Sequence, residues 1–218
     1  MRILLVLWLL NTVCFSQDKK YEWELKKSSK GVDVYSKRTT GSDFRELKAT
    51  MVVHASLNSV VTLINDWDTY PEWVYKCGES KTLKRVSDHE IIRRQTVVAP
   101  WPVEDRDIIM SVKLTQDEFT RVVSMHSEVV PAYIPVVPHV VRITVFHASW
   151  TFIPLKDGNI ELIYQLVVHP GGLVPAWIVN MAAIEGPHET MVKIKDMVVS
   201  DTYKNAKYAH FHIKELND

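Results

Sequence analysis

Residues 100–110 read PWPVEDRDIIM, and within them Glu104, Asp105 and Asp107 crowd around Arg106. Carboxylates at such spacing could do general acid/base chemistry, which needs a carboxyl group of perturbed pKa in a dry pocket. An adjacent cation works against that, because it lowers carboxylate pKa values and holds the groups ionised. The cluster therefore reads as a salt-bridged corner. Trp101 and Pro102 lead into it on a loop, either plugging the end of a core or meeting a bilayer or ligand entrance.

Other reactive residue types form no constellation. The chain has nine histidines, but His188-Glu189 lacks the second histidine of a zinc-protease helix. His210 and His212 stand in a polar tail without a thiol or acidic residue beside them, so no metal site is expected. No Gly-x-Ser-x-Gly elbow, phosphate-cradling loop or dinucleotide fingerprint occurs, and no cofactor is expected. Lys+Arg total 26 and Asp+Glu total 26, so no long-range field favours nucleic acid. Aromatic residues and arginines are likewise not organised as a platform for stacking bases.

Positioning these residues falls to the rest of the 218-residue chain. MRILLVLWLLNTVCFS reads as an export leader: Arg2, an apolar run from Ile3 to Leu10, then small residues before Gln17. The run is too short to span a bilayer, which takes about 20 apolar residues. Cleavage before Gln17 would send the protein to the periplasm or outside the cell and leave Cys77 as the sole cysteine, a small buried hydrophobe by default. No linker or repeat divides the remainder, so a single domain over 17–200 is expected, with a polar peripheral tail over 201–218.

Within that domain the pattern is mostly strand. YEWEL and VDVYSKR flank Ser28-Ser29-Lys30-Gly31 as a first hairpin, and 44–54 alternates with Leu47, Ala49, Met51 and Val53 on one face. Val60, Val61, Ile64 and Trp67 shift to helical spacing behind a Ser56 cap, and a short second helix follows through Pro71-Glu72-Trp73. Strands are then expected over 81–87, 89–99, 106–115, 119–127, 139–154 and 159–169, the last entered by an Asp157-Gly158-Asn159 turn. The apolar, proline-rich loop 128–139 is expected to pack. A helix over 174–184 is interrupted at Gly186-Pro187, after which Met191, Ile194 and Val198 share one face. A curved antiparallel sheet of this length must bury its apolar face, and the last helix is the only long element available. Space left at the ends of such a grip suits an apolar ligand.

In GVDVYSKR, FRELKA, NDWDTYPEW, PWPVEDRDIIM, VVRI, SWTFIPLKDG and HPGGLVPAWIVN, taken in order, the chain resembles the START (StAR-related lipid-transfer) family, in a bacterial form. The resemblance spans roughly residues 21–200. It implies an α+β helix-grip fold, with the sheet wrapped around the long C-terminal helix and one lipid held in an internal hydrophobic tunnel. The last helix and the loop before Arg106 would gate that tunnel, with transient membrane contact.

On this basis the expected lining is Met110, Val112, Leu114, Trp150, Met191 and Ile194, with Arg93 and Arg106 as polar candidates and Trp101 at the entrance. Val112 stands where the sterol-binding branch of the family carries its basic residue, so that branch's hydroxyl hook is not expected. Arg93, if turned inward, needs a carboxylate or a ligand phosphate; the alternative phase turns it outward. The expected function is a monomeric lipid carrier or sensor without chemistry. The competing reading is a helix-grip enzyme of polyketide cyclase-like type, which needs two titratable groups within reach of one ligand atom.

Overall fold

The computed structural model describes residues 22–38 and 45–217. The expected leader, its cleavage point, Cys14 and Phe44 lie outside the described residues. One ten-stranded sheet dominates, ordered β1-β2-β3-β10-β9-β7-β6-β5-β4. Its strands are β1 (Glu24–Ser29), β2 (Val32–Arg38), β3 (Arg45–His54), β4 (Cys77–Ser87) and β5 (Glu90–Val97). The others are β6 (Asp105–Gln116), β7 (Val123–Val129), β8 (Val140–Arg142), β9 (Val145–Pro154) and β10 (Asn159–His169). All pairings are antiparallel except that the short β8 runs parallel to the start of β6.

Local chemistry explains the turns. Lys30 and Gly31 both take positive φ, 54° and 77°, which is the pair of angles a two-residue type I′ hairpin demands. Gly158 does the same at φ 76°, where the Asp157 carboxylate also accepts the Asn159 amide at 3.2 Å. Ser56 caps α1 (Leu57–Ile64) by accepting the Ser59 amide at 3.1 Å. A 3-10 turn at Trp67–Thr69 and α2 (Tyr70–Trp73) follow, bringing three aromatic rings into one cluster.

The long helix, α3 (Ala176–Met197), lies against β1, β2 and β3 and touches α2. This is the expected helix-grip arrangement. The helix is not interrupted at Gly186-Pro187. Pro187 removes one backbone donor, but anchors on either side hold the helix in register. Lys27 pairs with Glu185 at 2.6 Å, Ser29 meets His188 at 2.8 Å, and Thr190 accepts the Tyr75 amide at 3.1 Å. No helix among the described residues is long and apolar enough to cross a membrane.

Three further expectations are corrected. The run 139–154 is two strands, because β8 pairs in parallel with the start of β6, ending with the Ile143 amide on the Asp107 carbonyl, whereas β9 pairs with β7 and β10. The segment 119–127 starts late, since Asp117 collects the Phe119 and Thr120 amides in a tight turn before β7. The residues past Ser200 are not peripheral: Tyr203 and Ile213 are buried, and the Glu215 carboxylate accepts the Leu57 and Asn58 amides at 3.0 Å each. A negative group at a helix N-terminus satisfies free donors and the dipole together.

Candidate functional site

A cavity of about 260 Å³ lies between the concave sheet face, α2 and the middle of α3. Strand alternation decides what reaches it. β5 contributes Arg93, Gln95 and Val97, and β6 contributes Arg106, Ile108 and Met110. β7 adds Met125 and Ser127, β9 adds Phe146, Ala148 and Trp150, and β10 adds Tyr164, Leu166 and Val168. Ala182, Gly186, Pro187 and Thr190 of α3 form the roof, and Trp67, Tyr70 and Trp73 close one end.

Of the expected lining, the structure brings Arg93, Arg106, Met110 and Trp150 together at this cavity. Val112 and Leu114 lie farther along the same face of β6, in the buried cluster that also holds Val60, Val61 and Ile64 of α1. Met191 and Ile194 join that cluster too, one and four residues past Thr190, the last helical residue at the roof. These four are buried core side chains outside the cavity lining. Trp101 is 92% exposed and follows a loop with a cis Trp101-Pro102 bond, outside the lining. Tyr70, Gln95 and Leu166 were not anticipated. Their signal was the period of two: once Arg93 and Met110 face inward, Gln95 and Ile108 must as well.

The Glu104-to-Asp107 cluster proves to be a corner, as its charge pattern implies, but with different partners. Asp107 is fully buried and receives Arg94 at 2.9 Å and Arg142 at 2.7 and 3.0 Å. Burial by itself would raise its pKa. The hydrogen bonds from Arg142 and Arg94 outweigh that and hold the carboxyl below the usual carboxylate range. Asp105 accepts the Ala99 amide at 2.9 Å, which ties down the loop carrying Trp101. Arg106 turns away from Asp107, donating to the backbone carbonyls of Glu104 and, at 3.4 Å, Gly171.

Arg142 also donates to the carbonyls of Pro131, Ile134 and Pro135. That backbone clasp holds the loop between β7 and β8 without burying its side chains. Tyr133, Val136 and Val137 are exposed, so the expectation that this loop packs is overturned. With Trp101, Leu173 and Trp177, all exposed, they form an apolar fringe at the end of the sheet where β5 leaves and β6 and β8 begin.

At the opposite end the Arg93 guanidinium lies over the rings of Trp67 and Tyr70, 4.1 and 4.3 Å from their centroids. Its Nη2 donates to Ser80 at 2.6 Å and Gln95 at 3.0 Å. The Tyr70 hydroxyl donates to the Ile64 carbonyl at 2.6 Å, which fixes the ring under the cation. Trp150 and Tyr164 stack 4.2 Å apart on the facing strands. Burial pushes the Tyr164 phenol up to about 12, against the pull of Arg93, and raises Tyr70 as well.

Comparison with known proteins follows the same lines. Residues 53–186 match the family described as polyketide cyclase / dehydrase and lipid transport. An uncharacterized protein of Pseudomonas aeruginosa is 28% identical over 170 residues, covering 78% of this chain and 83% of its own. Mouse phosphatidylcholine transfer protein is 24% identical over 189 residues, covering 81% and 82%. The solved STAR-related lipid transfer protein of Xanthomonas axonopodis superposes with a TM-score of 0.75 at 28% identity, over 82% of this chain and 99% of that one.

Proposed function

The chain belongs to the polyketide cyclase / dehydrase and lipid transport family, and from that premise we propose that it binds one lipid or similar hydrophobic molecule in this cavity, as a carrier or sensor that performs no reaction. The observation that carries the reading is the lining itself. Aromatic and aliphatic side chains make up most of it, and among the described residues it contains no carboxylate, imidazole, thiol or amine. Its titratable groups are arginines and tyrosines, and burial keeps the Tyr70 and Tyr164 phenols protonated at neutral pH. A polyketide cyclase-like reaction needs an acid/base pair near one ligand atom, and this lining offers none. Two similar proteins, from mouse and Xanthomonas, are lipid transfer proteins by name, which supports the same reading.

Energetics explain why a gate matters more than affinity. Each buried CH₂ contributes about 0.8 kcal/mol, so an acyl chain gains on the order of 10 kcal/mol whether it sits in protein or bilayer. The useful property is a dry passage between them. Trp101, Leu173 and Trp177 are poised to touch the membrane at the cavity's mouth, where Gly171 and Gly172 adopt positive φ just before α3. The leader-like stretch before Gln17 fits work outside the cytoplasm, in the periplasm or beyond, by a monomer carrying one lipid.

Transfer of a fluorescent phospholipid from donor to acceptor vesicles tests the reading. A carrier raises the transfer rate above the spontaneous rate in proportion to protein. A sensor takes up one lipid per chain without raising it. Failure of both contradicts the proposal.

A further inference from the structure

Arg93 is 2% exposed, yet no described carboxylate pairs with it. The titratable neighbours that bear on its charge are Tyr70, Cys77 and Tyr164, all neutral at physiological pH because burial raises each of them. Its Nη2 reaches two neutral acceptors, Ser80 and Gln95, while its buried Nε has no hydrogen-bond partner. An arginine stays protonated in proteins, and an isolated buried cation is among the costliest groups a fold can carry. The two aromatic faces offset only part of that cost.

Where structure alone is at stake, this chain supplies carboxylates. The adjacent Arg94 has Asp107 at 2.9 Å and Glu79 at 3.0 Å, and Arg142 has Asp107. Arg93 differs from both in facing the cavity. A second cation, Arg106, is 5% exposed at the other end of the same wall and donates only to carbonyls. Arg93 pairs with Met110, and Arg106 pairs with Val97. Four residues of strand separate the two positions, about 13 Å, with Ile108 between them on β6, and Trp150, Leu166 and Val168 line the same cavity.

We propose that the cavity takes an amphiphile with an oxyanion head, a carboxylate or a phosphate, and that Arg93 holds this head while the apolar tail runs toward Arg106 and the mouth. The inference rests on the lipid-binding reading above and narrows its ligand class. A sterol hydroxyl or an ester carbonyl could accept from Nε of Arg93 but would leave its charge uncancelled; an oxyanion gives Nε a charge-assisted partner and cancels the charge.

The test is a binding titration of the full chain with oleate, methyl oleate, oleoyl lysophosphatidic acid and inorganic phosphate. Wild type should bind at least one anionic amphiphile about ten-fold or more tighter than methyl oleate, the range expected for a desolvated charge-assisted hydrogen bond. Whichever anion binds tighter identifies the head as carboxylate or phosphate. Arg93→Met should lose the preference while holding methyl oleate within a few-fold, and Arg93→Lys should keep part of it. Equal binding of oleate, lysophosphatidic acid and methyl oleate by wild type would overturn the proposal and leave lipid binding intact; this comparison needs no variant to fold. Binding of none of the amphiphiles would overturn both readings. Inorganic phosphate binding as tightly as lysophosphatidic acid would make the site one for a free anion and overturn the amphiphile.

Discussion

Arg106 and Asp107 are neighbours on one strand, yet their side chains serve opposite faces of the sheet. Arg106 borders the ligand cavity, and Asp107 is fully buried between Arg94 and Arg142. What reads along the chain as one cluster of charge is split by the pleat into a cavity cation and a structural ion cluster. The split is why the acid/base reading fails here: no carboxylate of PWPVEDRDIIM lines the cavity.

Asp107→Asn should destabilise the protein by about 3–5 kcal/mol, because it leaves the buried Arg142 without an anion and Arg94 with only the exposed Glu79. The native pKa of Asp107 is depressed, so its stabilisation is fully present above the unfolded carboxylate value, about 3.9, and disappears as pH falls through the native one. Urea unfolding at pH 7 and below pH 3 checks this. The gap between wild type and variant should be wide at neutral pH and narrow in acid.

Glu215→Ala should cost about 1–2 kcal/mol, since its carboxylate accepts the Leu57 and Asn58 amides and the Asn58 side-chain amide. Equilibrium urea unfolding would detect the change. The same residue shows that 201–218 is part of the fold, with Ile213 buried beside it.

How much of this was legible follows the length scale of each signal. The period of two in β6 and the Asp157-Gly158-Asn159 turn between β9 and β10 announced the sheet. Alternation alone could not fix phase, so whether Arg93 or Arg94 faced inward stayed open until the pairing of β5 with β6 was known. Pro187 was read as a break because its effect on its own helix is local, whereas the Lys27–Glu185 and Ser29–His188 contacts that compensate come from about 160 residues earlier in the chain. Met191 and Ile194 were correctly apolar and inward; which stretch of α3 roofs the cavity is a matter of helix position against the sheet, and sequence periodicity carries no such coordinate.

Trp101→Ala should leave the urea midpoint unchanged, since the side chain is almost fully exposed. If the loop touches the bilayer, the same change should weaken partition onto phosphatidylcholine vesicles by about ten-fold. Vesicle flotation measures the partition directly. Leu173, 98% exposed, should behave alike.

Cys77 should be chemically silent. Burial pushes its thiol up to about 11, so at pH 8 its thiolate fraction is about two hundred-fold below that of a free cysteine. In a Cys14→Ser background, a thiol-reactive disulfide reagent should label the native protein at least that much more slowly than the urea-unfolded chain. Equal rates would show an accessible, ordinary thiol.

The central claim is that one hydrophobic ligand occupies the cavity. Native mass spectrometry of the protein purified from its own host measures this most directly. The predicted result is a protein mass carrying a single lipid, released on unfolding and sharing one head-group class across preparations. A mass spectrum showing only the bare chain, together with no uptake of fluorescent lipid from vesicles, would contradict it.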